Sequence, residues 1–73
     1  MVGRGRSVAV GQRYRAIRPD GTPAPTVWEV IEVYRIGSSG IEHARLRQVG
    51  DPTETRTFAT AVLADRARFM AAS

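Results

Sequence analysis

From Thr26 to Ile36 the chain reads Thr-Val-Trp-Glu-Val-Ile-Glu-Val-Tyr-Arg-Ile, a stretch dominated by β-branched and aromatic residues. These types suit a pleated, half-buried surface, and they predict a long central strand over residues 26–36. Its apolar positions do not keep one parity. In a regular strand Trp28 and Val30 point one way and Ile31 and Val33 the other, so both faces need cover. The pattern predicts a strand that bends, or carries a bulge, near residues 30–32 and serves both halves of a small curled sheet.

Upstream, Val8, Val10, Tyr14 and Ile17, interleaved with Arg13 and Arg15, predict a first strand over residues 8–17, with Gly11 marking a bulge or bend. Residues 18–25, Arg-Pro-Asp-Gly-Thr-Pro-Ala-Pro, read as a loop stiffened by the fixed φ of its prolines. Gly37-Ser38-Ser39-Gly40 is a turn signal. The third strand, residues 41–49, alternates: Ala44 and Leu46 share one face, and His43, Arg45 and Arg47 share the other. One side of the sheet is therefore wet.

The last third carries two readings. Asp51-Pro52-Thr53-Glu54 suits a type I turn, and it equally suits a helix start with Asp as N-cap and Pro at the first helical position. Ala59, Ala61, Ala64, Ala67, Ala71 and Ala72 favour a helix. Thr53, Thr55, Thr57 and Thr60 favour a strand, and Asp65 and Arg66 interrupt the apolar stripe that a helix would need. The favoured reading is a fourth strand at 55–60, a helical turn at 61–65 and a fifth strand at 66–70. The alternative is a three-stranded antiparallel meander followed by a C-terminal helix.

Five short strands, a stiff loop after the first, tight turns between the middle three and a helical turn before the last resemble the SH3-like small β-barrel. The resemblance spans residues 8–70 and rests on the order of elements. It implies an all-β fold in which the first and fifth strands pair and the middle three form a meander. No residue's role follows from it, because such barrels bind peptides, methylated tails, RNA and DNA alike.

Length and composition narrow the rest. The 73 residues allow one domain, and a chain this short buries only roughly 60% of its unfolded surface. Residues 1–7, with Gly3, Gly5, Arg4 and Arg6, have little to bury and are expected to form a mobile arm ahead of a domain at 8–70 and a tail at 71–73. Without cysteine there is no disulfide and no thiolate metal site, as suits a reducing cytoplasm. No apolar run approaches the roughly 20 residues of a membrane span, and no apolar leader opens the chain, so a soluble cytoplasmic protein without membrane contact is expected.

The formal net charge is +4, and all eleven basic residues are arginine. With a sequence pI of about 11.1 the domain attracts polyanions at any physiological pH. Arginine offers a planar fork matched to phosphate or carboxylate, although a genome rich in arginine codons also removes lysine.

Enzyme signatures are missing, and no cofactor or metal is expected. Gly3-Arg4-Gly5 precedes the first strand and lacks the third glycine of a dinucleotide-binding turn, and no phosphate-binding loop of the NTPase type exists. His43, the single histidine, has no activated nucleophile to serve, and its neighbour Glu42 faces the other way in a strand. It reads as a surface residue.

Glu29 and Glu32 on the central strand lie beside Arg45 and Arg47 on the next, where opposite charges contribute roughly 0.2–1 kcal/mol per pair. That leaves Arg13, Arg15 and Arg18 near the first strand, Arg66 and Arg68 on the last, and Arg4 and Arg6 on the arm. If the first and fifth strands pair, these seven converge. The expected function is a small basic binding module that grips nucleic-acid phosphates, DNA or RNA, with Tyr14, Trp28 or Tyr34 stacking on a base. The alternative is a protein-interaction module: those aromatics beside Pro23 and Pro25 line a peptide groove, or the arginine face holds an acidic protein. A self-associating domain, monomer or weak homodimer, is the third expectation.

Overall fold

The central strand forms where its composition predicts it. In the computed structural model, which describes residues 8–38 and 40–72, the elements are β1 (Arg13–Ala16), β2 (Trp28–Ile36), β3 (Ile41–Gln48), β4 (Asp51–Ala59), α1 (Thr60–Leu63) and β5 (Phe69–Ala72). The protein is all-β: one antiparallel sheet in the order β4-β3-β2-β1-β5. The last strand returns to lie against the first, and β2, β3 and β4 form a meander.

The break in parity along β2 is a bulge. Pairing with β3 runs Val30↔Leu46 and then Glu32↔Arg45, so Ile31 is the extra residue. A bulge turns the side chains that follow it through one position, and both Val30 and Val33 thereby face the interior. The buried core is Tyr14, Val30, Ala44, Leu46, Leu63 and Phe69, with Trp28, Val33, Phe58 and Val62 packed against it.

The sheet is not closed into a barrel, because β4 and β5 are its two edges. Side chains span the gap instead of a hydrogen-bond ladder. Phe58 near the end of β4 meets Phe69 at the start of β5, edge to face, with ring centroids 5.1 Å apart. The single turn of α1 lies in the connection, and its Leu63 is fully buried.

Several boundaries differ from the expected ones, each for a local reason. β1 starts at Arg13 rather than at residue 8, because Gly11 adopts a φ of 96° in a turn in which the Gln12 amide donates to the Ala9 carbonyl at 3.1 Å. That turn still docks on β2: the Gly11 amide donates to the Val30 carbonyl, and the Val30 amide to the Gln12 carbonyl, each at 2.8 Å. The loop after β1 is a tight hairpin. Arg18-Pro19-Asp20-Gly21 is a turn with the Gly21 amide donating to the Arg18 carbonyl, and an Ile17↔Pro23 bridge extends it.

The turn expected at Asp51-Pro52-Thr53-Glu54 lies earlier, at Val49-Gly50, and Asp51 already pairs with Gln48. The Asp51 carboxylate accepts from the Thr53 hydroxyl at 2.7 Å and from its amide at 3.3 Å, and pairing resumes at Arg47↔Thr55. Pro52 to Glu54 form a bulge on an edge strand, one of the devices that blunt such an edge. The helical turn is Thr60–Leu63 instead of 61–65. β5 begins at Phe69 rather than at residue 66, because Asp65 holds the preceding residues in a turn. Its side chain accepts the Ala67 amide at 2.9 Å, and its carbonyl accepts those of Arg68 and Phe69, each at 3.0 Å. Ala71 and Ala72, read as tail, are strand residues paired with Tyr14 and Arg13.

Candidate nucleic-acid interface

The register of the sheet decides which charged side chains share a face. Arg13 lies opposite Glu29 on one side and Ala72 on the other, Glu29 lies opposite Arg47, and Arg47 opposite Thr55. The next rows across β2, β3 and β4 are Glu32-Arg45-Thr57 and Tyr34-His43-Ala59. Arg15, two residues after Arg13, shares its side of β1 and lies opposite Met70. The interior rows in between carry Tyr14, Val30, Ala44 and Leu46. One face of the sheet is therefore apolar, and the other gathers Arg13, Arg15, Arg45 and Arg47 around Glu29 and Glu32.

Two of these arginines are paired. Arg45 reaches Glu32 at 3.0 Å, as the neighbouring-strand argument expects. Glu29, however, binds Arg13 at 3.3 Å and not Arg47. Both pairs are solvent-screened, so each contributes at most about 1 kcal/mol. Arg47 and Arg15 make no ion pair among the described residues. Arg15 also has its Nε buried without an acceptor among them. The surplus positive charge of this face thus sits on Arg15 and Arg47, at opposite ends of the Arg13–Glu29 pair.

The same face carries a stacked aromatic pair. Tyr34 and His43, directly opposed on β2 and β3, have ring centroids 6.1 Å apart and planes inclined by 24°. The Arg45 guanidinium carbon lies 5.9 Å from the Tyr34 centroid. His43 Nδ1 is 3.1 Å from the Ile41 carbonyl oxygen, which anchors the imidazole to its own strand. Among the described residues, no three His, Asp or Glu side chains converge as a metal site.

The residues singled out by sequence separate into groups. Arg13 and Arg15 are on the charged face. Arg18 and Arg68 instead flank a groove at the far end of β1, and Arg66 lies in the turn held by Asp65. Arg66 and Arg68 precede the last strand rather than belong to it, and Arg68 is paired with Asp65 at 3.5 Å. Arg4 and Arg6 lie outside the described residues.

Of the three aromatics, Tyr14 is only 2% exposed, with its hydroxyl donating to Gln12 Oε1 at 2.8 Å. It is a core residue and offers no ring to a base. Trp28 is half-buried against the core, and the Arg56 guanidinium carbon lies 5.3 Å from its centroid. Trp28 thus packs against the core under Arg56, and Tyr34 alone of the three stands on the charged face.

Arg47 and His43 were the residues sequence reasoning set aside. A charge count contained the missing signal: Glu29 and Glu32 cannot neutralise Arg13, Arg45 and Arg47 together. Compared with protein-family models, with curated proteins and with solved structures, the chain matches none of them.

Proposed function

We propose that this domain binds single-stranded nucleic acid across the charged face of its sheet, acting in the cytoplasm. The observation that carries the reading is the placement of Arg15 and Arg47, without ion pairs among the described residues, on the face that also bears the Tyr34–His43 stack. Guanidinium forks suit phosphate oxygens. A ring pair on the same face, with His43 four residues along β3 from Arg47, suits an unstacked base, which is how sequence-tolerant single-strand binders combine charge with stacking. Glu29 and Glu32 orient Arg13 and Arg45 without cancelling the surplus.

No helix among the described residues is long and apolar enough to cross a membrane. Anisotropy of labelled oligothymidine, titrated at several salt concentrations, tests the proposed binding. Binding should weaken steeply with salt, by about 0.7 log units per log unit of salt for each phosphate contact on a single strand. Arg15→Ala and Arg47→Ala should each lower that slope by about one contact. Lack of binding at low salt overturns the proposal and leaves the charge as a solubilising coat or a protein-docking face.

A further inference from the structure

A second feature lies away from that face, at the seam where the sheet fails to close. Between the edges, at Phe58 and Phe69, opens a groove of about 510 Å³. Ile17, Phe58, Val62 and Phe69 give it an apolar lining, and Arg18 and Arg68 contribute its cationic part. We propose that this seam groove docks an acidic peptide segment of a partner protein, with a bulky apolar side chain between Phe58 and Val62 and flanking carboxylates on Arg18 and Arg68.

Charge selects this occupant over the others. Arg18 makes no ion pair among the described residues, and the Arg68–Asp65 pair is open to solvent, with the two side chains 68% and 45% exposed. Such a pair is worth little, so Arg68 can exchange Asp65 for an incoming carboxylate at small cost. Arg66 adds a third cation in the adjoining turn. The chain's own first seven residues bring Arg4 and Arg6 and no acid, and a second copy brings a net charge of +4. Both meet like charge at the seam. A nucleic-acid strand would satisfy the arginines but leave the aliphatic lining of Ile17 and Val62 without a use, and Phe58 turns edge to face toward Phe69 rather than presenting a flat ring. An acidic segment with an apolar anchor uses both parts of the groove, in the manner of peptide grooves that take affinity from pockets and specificity from charge.

This inference stands independently of the charged-face reading. The probe is a fluorescein-labelled octapeptide, Asp-Glu-Glu-Leu-Phe-Glu-Asp-Glu, compared with the same peptide carrying Gly-Ser in place of Leu-Phe, at about 150 mM salt to suppress diffuse attraction. The Leu-Phe peptide should bind at least about tenfold more tightly than its control. Arg18→Glu, which breaks no ion pair among the described residues, and Arg68→Glu should each weaken it by about tenfold or more. Arg47→Glu, on the charged face, should change it less than about twofold, with circular dichroism confirming the fold of all three variants.

Equal affinity for both peptides would overturn the proposal in favour of unspecific charge attraction. So would a loss on Arg47→Glu as large as on Arg18→Glu. Displacement of the peptide by oligothymidine in the Arg47→Glu background would make the seam a nucleic-acid site. A concentration-dependent dimer abolished by Arg18→Glu would make a second copy the occupant.

Discussion

Phe58 and Phe69 stand on the two edge strands of the sheet and meet with their planes at 67°. Among the described residues no strand pairing joins β4 to β5, so this contact, with the buried Leu63 of α1, ties the two edges of the sheet together. Each phenylalanine is also in register with an alanine: Phe58 with Ala44 and Phe69 with Ala16. The small partners leave room for the rings, and the fold depends on them.

Phe58→Ala should therefore lower the unfolding free energy by about 3 kcal/mol, the low end for a large-to-small change because Phe58 is only half-buried. In a chain this small that is a large share of the total. Urea denaturation of Phe58→Ala, Phe69→Ala and the double variant should give a coupling of about 0.5–1.5 kcal/mol. Additive losses would mean that the rings do not act together.

Tyr14→Phe removes the hydroxyl that donates to Gln12 Oε1. A part-buried hydrogen bond of this kind contributes about 1 kcal/mol, so the unfolding free energy from urea denaturation should fall by that amount. Oligothymidine affinity should not change, since the ring is in the core. A loss of affinity at unchanged stability would place Tyr14 in the binding surface.

Glu29→Gln separates the two roles given to that carboxylate. Losing the Arg13 pair should cost less than about 1 kcal/mol of stability. Removing the negative charge that lies between Arg13 and Arg47 should tighten oligothymidine binding by about two- to tenfold at low salt. Unchanged binding would remove this part of the face from the interface.

Asp20 sets a pH dependence in the hairpin after β1. The hydroxyl and amide of Thr22 donate to Asp20 Oδ1 at 2.7 and 2.9 Å, and they hold this exposed carboxyl below its ordinary value of 3.8. The folded form thus favours the carboxylate, and its contribution to loop order is complete above the ordinary range and lost as pH falls through the lowered value. NMR titration of the Asp20 carboxyl should give a midpoint below 3.8, with the Thr22 amide shift following it. A midpoint at or above that value would mean the Thr22 bonds do not persist in solution.

Much of the fold was legible in residue patterns. The parity break at Val30 and Ile31 located the bulge of β2, and the alternation of His43, Ala44, Arg45, Leu46 and Arg47 separated the wet face from the core. The threonines of β4 outweighed the helix-forming alanines after them, because β4 pairs with β3 and gains partners that an isolated propensity does not weigh. What local patterns left out were hydrogen bonds made by single side chains. The Asp51 carboxylate holds the bulge of β4 at Thr53, and Asp65 delays β5 by three residues through its carboxylate and its backbone carbonyl. The candidate site was legible only in part for a related reason: which arginine Glu29 binds depends on register across three strands, and the neighbouring-strand argument set it against Arg45 and Arg47 and left Arg13 uncompensated, whereas it binds Arg13.

The most direct test of the account is to map where a single strand lands. In a titration of isotope-labelled domain with oligothymidine, the resonances of Arg15, Tyr34, His43, Arg45 and Arg47 should shift together, while those of Ile17, Val62 and Phe69 at the seam stay in place. Shifts confined to the seam, or spread evenly over both faces of the sheet, would contradict the assignment of nucleic-acid binding to the charged face.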